Sequence, residues 1–88
     1  MANYIAKVKV MLKKGILDVQ GKTVENALKT LGFENITDVR IGKYITFNVD
    51  ADSLEKAKEI ANSAADKLLY NPNIETYALE VTIFEGNV

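Results

Sequence analysis

The chain has 88 residues, 48% of them hydrophobic and 26% charged, with a formal net charge of −1. It contains no Cys and no His, which excludes disulfides, Cys/His metal centres, thiol nucleophiles and imidazole bases. The length fits one domain, residues 1–88. A domain of this size buries about 60–65% of its unfolded surface, and self-association is a common further support.

A pI of about 5.4 argues against a general nucleic-acid binder, which carries basic excess on one face. No apolar run approaches the roughly 18 residues of a membrane span. The opening "MANYIAKVKV" lacks the apolar core of a secretory signal. A soluble cytoplasmic protein is expected. Catalysis would fall to Asp, Glu, Lys, Tyr or Arg alone, so an independent enzyme is disfavoured.

Residues 3–12 alternate, with Tyr4, Ala6, Val8, Val10 and Leu12 on one face and Lys7 and Lys9 on the other. Period two predicts a half-buried strand. Ile5 and Met11 on the lysine side imply that this face is not wholly exposed. Lys13, Lys14 and Gly15 end the strand. Asp18 then stands where its carboxylate can cap a helix over 19–31. Val24, Ala27, Leu28 and Leu31 form the helix stripe. Gly32 is placed as a left-handed C-cap, with Phe33 folding back on Leu28. Gly21 falls in the first turn, where glycine costs about 1 kcal/mol relative to alanine, so a close approach is expected there.

Residues 36–50 read as a hairpin. Val39 and Ile41 lead in, Ile45, Phe47 and Val49 lead out, and Gly42-Lys43 supplies a type II′ turn. A second helix follows, capped by Asp52 or Ser53, with Asp52 and Glu55 as the better capping pair. Leu54, Ala57, Ile60, Ala61, Ala64 and Leu68 form its stripe, and the alanines allow close approach to a sheet. Asn71-Pro72 stops it. Tyr77, Leu79, Val81 and Ile83 alternate as a last strand. The order is β-α-β-β-α-β, an α+β fold of ferredoxin-like topology with two helices on one face of an antiparallel sheet.

Each tempting site has a plainer reading. Gly15 and Gly21 flank a helix start, but the spacing fits no phosphate loop and Asp18 would repel phosphate. RNA-recognition domains share this strand order and stack bases on aromatics of one sheet face. Here Tyr44 and Phe47 lie three apart, on opposite faces. Asp50, Asp52 and Glu55 suit capping and the helix dipole, and Glu75, Glu80 and Glu85 read as solvated surface. Arg40, Lys43 and Tyr44 make an exposed turn suited to a protein contact, since Tyr and Arg are enriched at interfaces.

Three stretches in series, "GILDVQGKTVENALKTLGF", "DVRIGKYITFNVD" and "KLLYNPNIETYALEV", resemble the PurS family, the small subunit of phosphoribosylformylglycinamidine synthase. The family's loop reads L-D-P-Q-G, then a short helix and G-F. The chain matches at Leu17, Asp18, Gln20, Gly21, Gly32 and Phe33, and departs at Val19, where proline is common. The tail 82–88 runs slightly past the family's usual end.

The resemblance implies an ATP-dependent glutamine amidotransferase complex of purine biosynthesis. It converts formylglycinamide ribonucleotide, glutamine and ATP to formylglycinamidine ribonucleotide, glutamate, ADP and phosphate. A large PurL subunit carries the ATP step and holds ATP and Mg, and PurQ hydrolyses glutamine with a cysteine. The PurS-like piece is implied to be non-catalytic, without cofactor or metal of its own. It would be a homodimer or tetramer that joins the other two subunits and supports ammonia transfer. Partner-facing or dimer-facing surfaces are then expected at Asp18, Gln20 and Gly21, and at Arg40, Gly42, Lys43 and Tyr44. Asp18 would cap, Gly21 would admit a close neighbour, and Arg40 and Tyr44 would make contacts. An ACT-like small-molecule sensor is the alternative, since it would share the strand order and also dimerise.

Overall fold

A computed structural model describes residues 2–84; Glu85 and the rest of the tail to 88 lie outside them. The elements are β1 (Ala2–Leu12), α1 (Val19–Thr30), β2 (Lys43–Ala51), α2 (Leu54–Ala64), a π-helical turn (Ala65–Leu69) and β3 (Glu75–Ile83). The strands form one antiparallel sheet in the order β2-β1-β3. β1 is central: Val8 faces Ile45 on one side and Leu79 on the other.

The alternation of β1 decides the core. Tyr4, Ala6, Val8 and Val10 are buried on the face that α2 covers. Complete burial of Val8 and Val10 contributes about 1.5–3 kcal/mol each. Ile5 is also buried, on the opposite face, where it lies between Asn48 and Thr82 in the register. The helix side of this core is made of alanine. Ala57, Ala61 and Ala65 are fully buried and repeat every fourth residue, so a narrow stripe lets the backbone approach the sheet. Leu54, Ile60 and Leu68, assigned to the same stripe by periodicity, are exposed.

The caps show why the helices begin and end where they do. Asp18 is extended (φ −99°, ψ 91°) and accepts from the Gly21 N–H. At the other end Gly32 takes φ +99°. The Phe33 N–H donates to Leu28 O and the Gly32 N–H to Lys29 O, each at 3.0 Å. That is the Schellman arrangement. For α2 the cap is Ser53, not Asp52 with Glu55. Ser53 is the last extended residue (φ −151°), so its Oγ reaches the Lys56 N–H at 3.1 Å. The π-helical turn then carries Leu69 and Tyr70 against the second part of the core. Tyr77 stacks edge-on against Tyr70 at 4.6 Å and donates its hydroxyl to Asn62 Oδ1 at 2.6 Å.

The α+β class and its antiparallel ferredoxin-like order hold, with two differences in detail. The second β position, 36–41, carries no sheet ladder, so among the described residues the sheet has three strands. Gly42 lacks the positive φ of a type II′ turn. The chain runs past it along the end of β1, and a side chain there would collide with Met11 Sδ and lie 2.6 Å from Val10 O. Glycine is needed at position 42 for close approach rather than for a turn.

Second, among the described residues only α2 lies on the sheet; α1 stands off its end. Among the described residues no strand packs closely on α1; its buried residues are Gly21 and Glu25, while Val19, Val24 and Leu31 are exposed. The radius of gyration is accordingly 16.7 Å, against about 12 Å for a compact chain of this length. The molecule is a slab of 52 × 32 × 15 Å.

Candidate functional site: the α1 hook

Segment 38–41 crosses the first two turns of α1, and polar contacts hold it there. Asp18 uses both carboxylate oxygens: Oδ1 accepts the Gly21 N–H at 2.8 Å and Oδ2 the Ile41 N–H at 2.7 Å. Two residues earlier in the segment, the Val39 N–H donates to Glu25 Oε1 at 3.3 Å. Glu25 Oε2 pairs with Lys29 at 3.3 Å and Lys22 at 3.7 Å. Glu25 is the buried charged residue of the described chain. Its carboxylate is tolerated because both oxygens are occupied and two ammonium groups lie one turn away on either side.

These contacts set the electrostatics. The Gly21 and Ile41 amides hold the Asp18 carboxyl below the usual carboxylate range, aided by the Arg40 charge. The Val39 amide does the same for Glu25, with Lys29 and Lys22 adding to it. Arg40 turns back toward the sheet and donates to Leu12 O at the end of β1. The hook is thus tied to both α1 and β1.

Of the residues predicted from sequence, Asp18, Gly21 and Arg40 converge here. Gly21 is buried, and a side chain on it would run into Val39 O and lie 2.8 Å from Asp18 Oδ2. The close approach expected at that glycine is therefore made within the chain. Gln20, Gly42 and Lys43 line a neighbouring cleft with Leu12 and Ile41. Lys43 pairs with Glu75 at 3.6 Å. Tyr44 projects from the edge strand β2, opposite Lys9 and largely exposed. A second cleft, about 570 Å³, is lined by Lys13, Lys14, Lys22 and Arg40 and by the acids Asp18, Glu25 and Asp38. Its mixed charge selects neither an anion nor a cation. Among the described residues no three His, Cys, Asp or Glu side chains come together as a metal site. Glu25 and Val39 were absent from the sequence-based site; the available signal was Glu25 placed between Lys22 and Lys29 at helical spacing.

The site is a polar hook on a small α+β chain, with uncovered apolar side chains around α1. Comparison with known proteins gives the family. The profile of PurS, phosphoribosylformylglycinamidine (FGAM) synthase, matches residues 5–83, and the chain belongs to the PurS family. It is 36% identical to the phosphoribosylformylglycinamidine synthase subunit PurS of Synechocystis over 98% of this chain and 86% of that protein. Identity to the Methanocaldococcus jannaschii PurS is 39%, over 93% and 99%. Among solved structures, Thermus thermophilus PurS superposes with a TM-score of 0.84 at 42% identity, covering 93% of this chain and 98% of that one. The PurLQS structure from Thermotoga maritima contains a chain matching at TM-score 0.86 and 30% identity, over 93% and 100%.

Proposed function

We propose that this chain is the PurS subunit of a phosphoribosylformylglycinamidine synthase, joining a PurL synthase and a PurQ glutaminase in the cytoplasm. The observation that carries the reading is the family match across residues 5–83, supported by similarity to a chain of the PurLQS structure. The isolated chain has no turnover of its own; ATP and Mg are held by PurL, and the glutaminase nucleophile by PurQ. The chain's part is to bridge the two and support ammonia transfer between them.

Self-association belongs to the same reading. Leu17 and Val19 at the start of α1, and Leu31 and Phe33 at its end, are all more than half exposed, apolar surface that a second copy would cover. Arg40 and Tyr44 are the further contacts for the neighbouring subunit in this reading.

Reconstitution tests the proposal. PurL and PurQ are mixed with and without this chain, and activity is read with glutamine and then with ammonia as nitrogen source. Glutamine-dependent activity should require the chain, and ammonia-dependent activity should require it less. Equal glutamine-dependent rates with and without it would overturn the reading.

A further inference from the structure

The amides of Val39 and Ile41 are two residues apart, the spacing at which an edge strand presents N–H groups to a neighbouring strand. The sequence around them alternates as a strand, and the outer edge of β2 beside them has no partner among the described residues. Segment 38–41 therefore has two places to satisfy its backbone. In the structure both amides are taken by carboxylates of α1, Glu25 Oε1 and Asp18 Oδ2. The left-handed backbone of Asp38 (φ +58°) turns the chain into that position.

We propose that Asp18 and Glu25 are positioning residues. Their carboxylates substitute for a strand, hold 38–41 on α1, and keep it from folding back as a fourth strand on the outer edge of β2. The inference rests, for its bearing on activity, on the reading of 40–44 as a partner-facing surface. The two carboxylates differ in how replaceable they are. Asp18 needs both oxygens as acceptors, so an amide there puts a donor against a donor. Glu25 needs one oxygen for Val39, and a glutamine still supplies it.

NMR on the full chain tests this without any partner. In E25Q the Val39 amide should keep its slow exchange. In D18N the amide of Gly21 or of Ile41 should exchange about tenfold faster. In the D18A/E25A double variant, cross-strand NOEs should appear between 38–41 and β2. Wild-type exchange at Val39 and Ile41 in the double variant would overturn the proposal, and so would fast exchange there without those NOEs. If the double variant does not fold, the D18N and E25Q pair decides: equal effects on the clamped amides overturn the proposal. A parallel reconstitution with PurL and PurQ separates the two readings. Loss of glutamine-dependent activity in D18N, with activity retained in E25Q, supports both. Full activity in D18N alongside the expected NMR changes supports the clamp and counts against 40–44 as the partner surface.

Discussion

The Asp18 carboxylate reaches across 23 residues of sequence to accept the backbone N–H of Ile41 at 2.7 Å. A helix cap ordinarily serves its own helix; this one also fastens a distant segment. The sheet and the α1 hook are thus joined mainly through polar contacts, while the sheet and α2 are joined through apolar burial. The two halves should respond to different perturbations.

Acid should loosen the hook first. Asp18 and Glu25 are both held below their ordinary values of 3.8 and 4.5. The unfolded chain therefore binds more protons, and both groups contribute stability that is full above about pH 5. It is lost as pH falls through the lower, folded values. Urea unfolding of wild type and D18A should differ at pH 7 and converge near pH 2. A gap that stays constant down to pH 2 would contradict the assignment.

Two glycines should fail for different reasons. Gly42→Ala meets Val10 O and Met11 and should cost about 1–3 kcal/mol, as overpacking does. Gly32→Ala meets nothing within 4 Å, but it must adopt φ +99°, which costs about 1–2 kcal/mol. Thermal unfolding measures both. Only Gly42→Ala should also perturb the amide shifts of Val10 and Met11.

Ala61→Leu should be among the more damaging single changes. Ala61 is fully buried where α2 meets the sheet, and three added carbons have no space. A cost of about 1–3 kcal/mol is expected, with a melting temperature lower by about 4–24 °C. An unchanged melting temperature would contradict the close contact between α2 and the sheet at Ala61.

Leu17→Ser with Leu31→Ser should leave the isolated fold nearly unchanged, since both side chains are about three-quarters exposed and surface changes stay within about 0.5 kcal/mol. Sedimentation should nevertheless shift toward the 9.7 kDa monomer. An unaltered sedimentation coefficient at every concentration would remove α1 from the self-association surface.

The Tyr77 phenol should titrate above its usual value of 10.0, because burial and the nearby Asp66 charge oppose its ionisation. Ultraviolet titration of wild type and Tyr77→Phe isolates it. Loss of the bond to Asn62 should cost about 0.5–1.5 kcal/mol.

The parts of the fold legible in the sequence share a physical cause. β1, β2, β3 and both helices follow from local periodicity, and the caps at Asp18 and Gly32 follow from side-chain chemistry within four residues. The missing strand did not follow, because Val39 and Ile41 alternate equally well on a sheet edge or on a helix. Which acceptor receives their amides depends on Asp18 and Glu25, 23 and 14 residues away. Glu25 itself looks like any helix-surface glutamate flanked by lysines. Its burial comes from the segment lying over it, which no local pattern encodes. Gly42 reads in the sequence as a type II′ turn residue, since a two-residue signature cannot register that β1 passes beside it.

The slab is only 15 Å thick, about one sheet and one helix. So thin a body has little apolar interior to expose on melting. Its unfolding heat capacity should fall below the about 12–15 cal/mol/K per residue of compact domains. Calorimetry of the lone chain should then trace a broad, shallow stability curve, with the missing heat capacity appearing in the titration that assembles it.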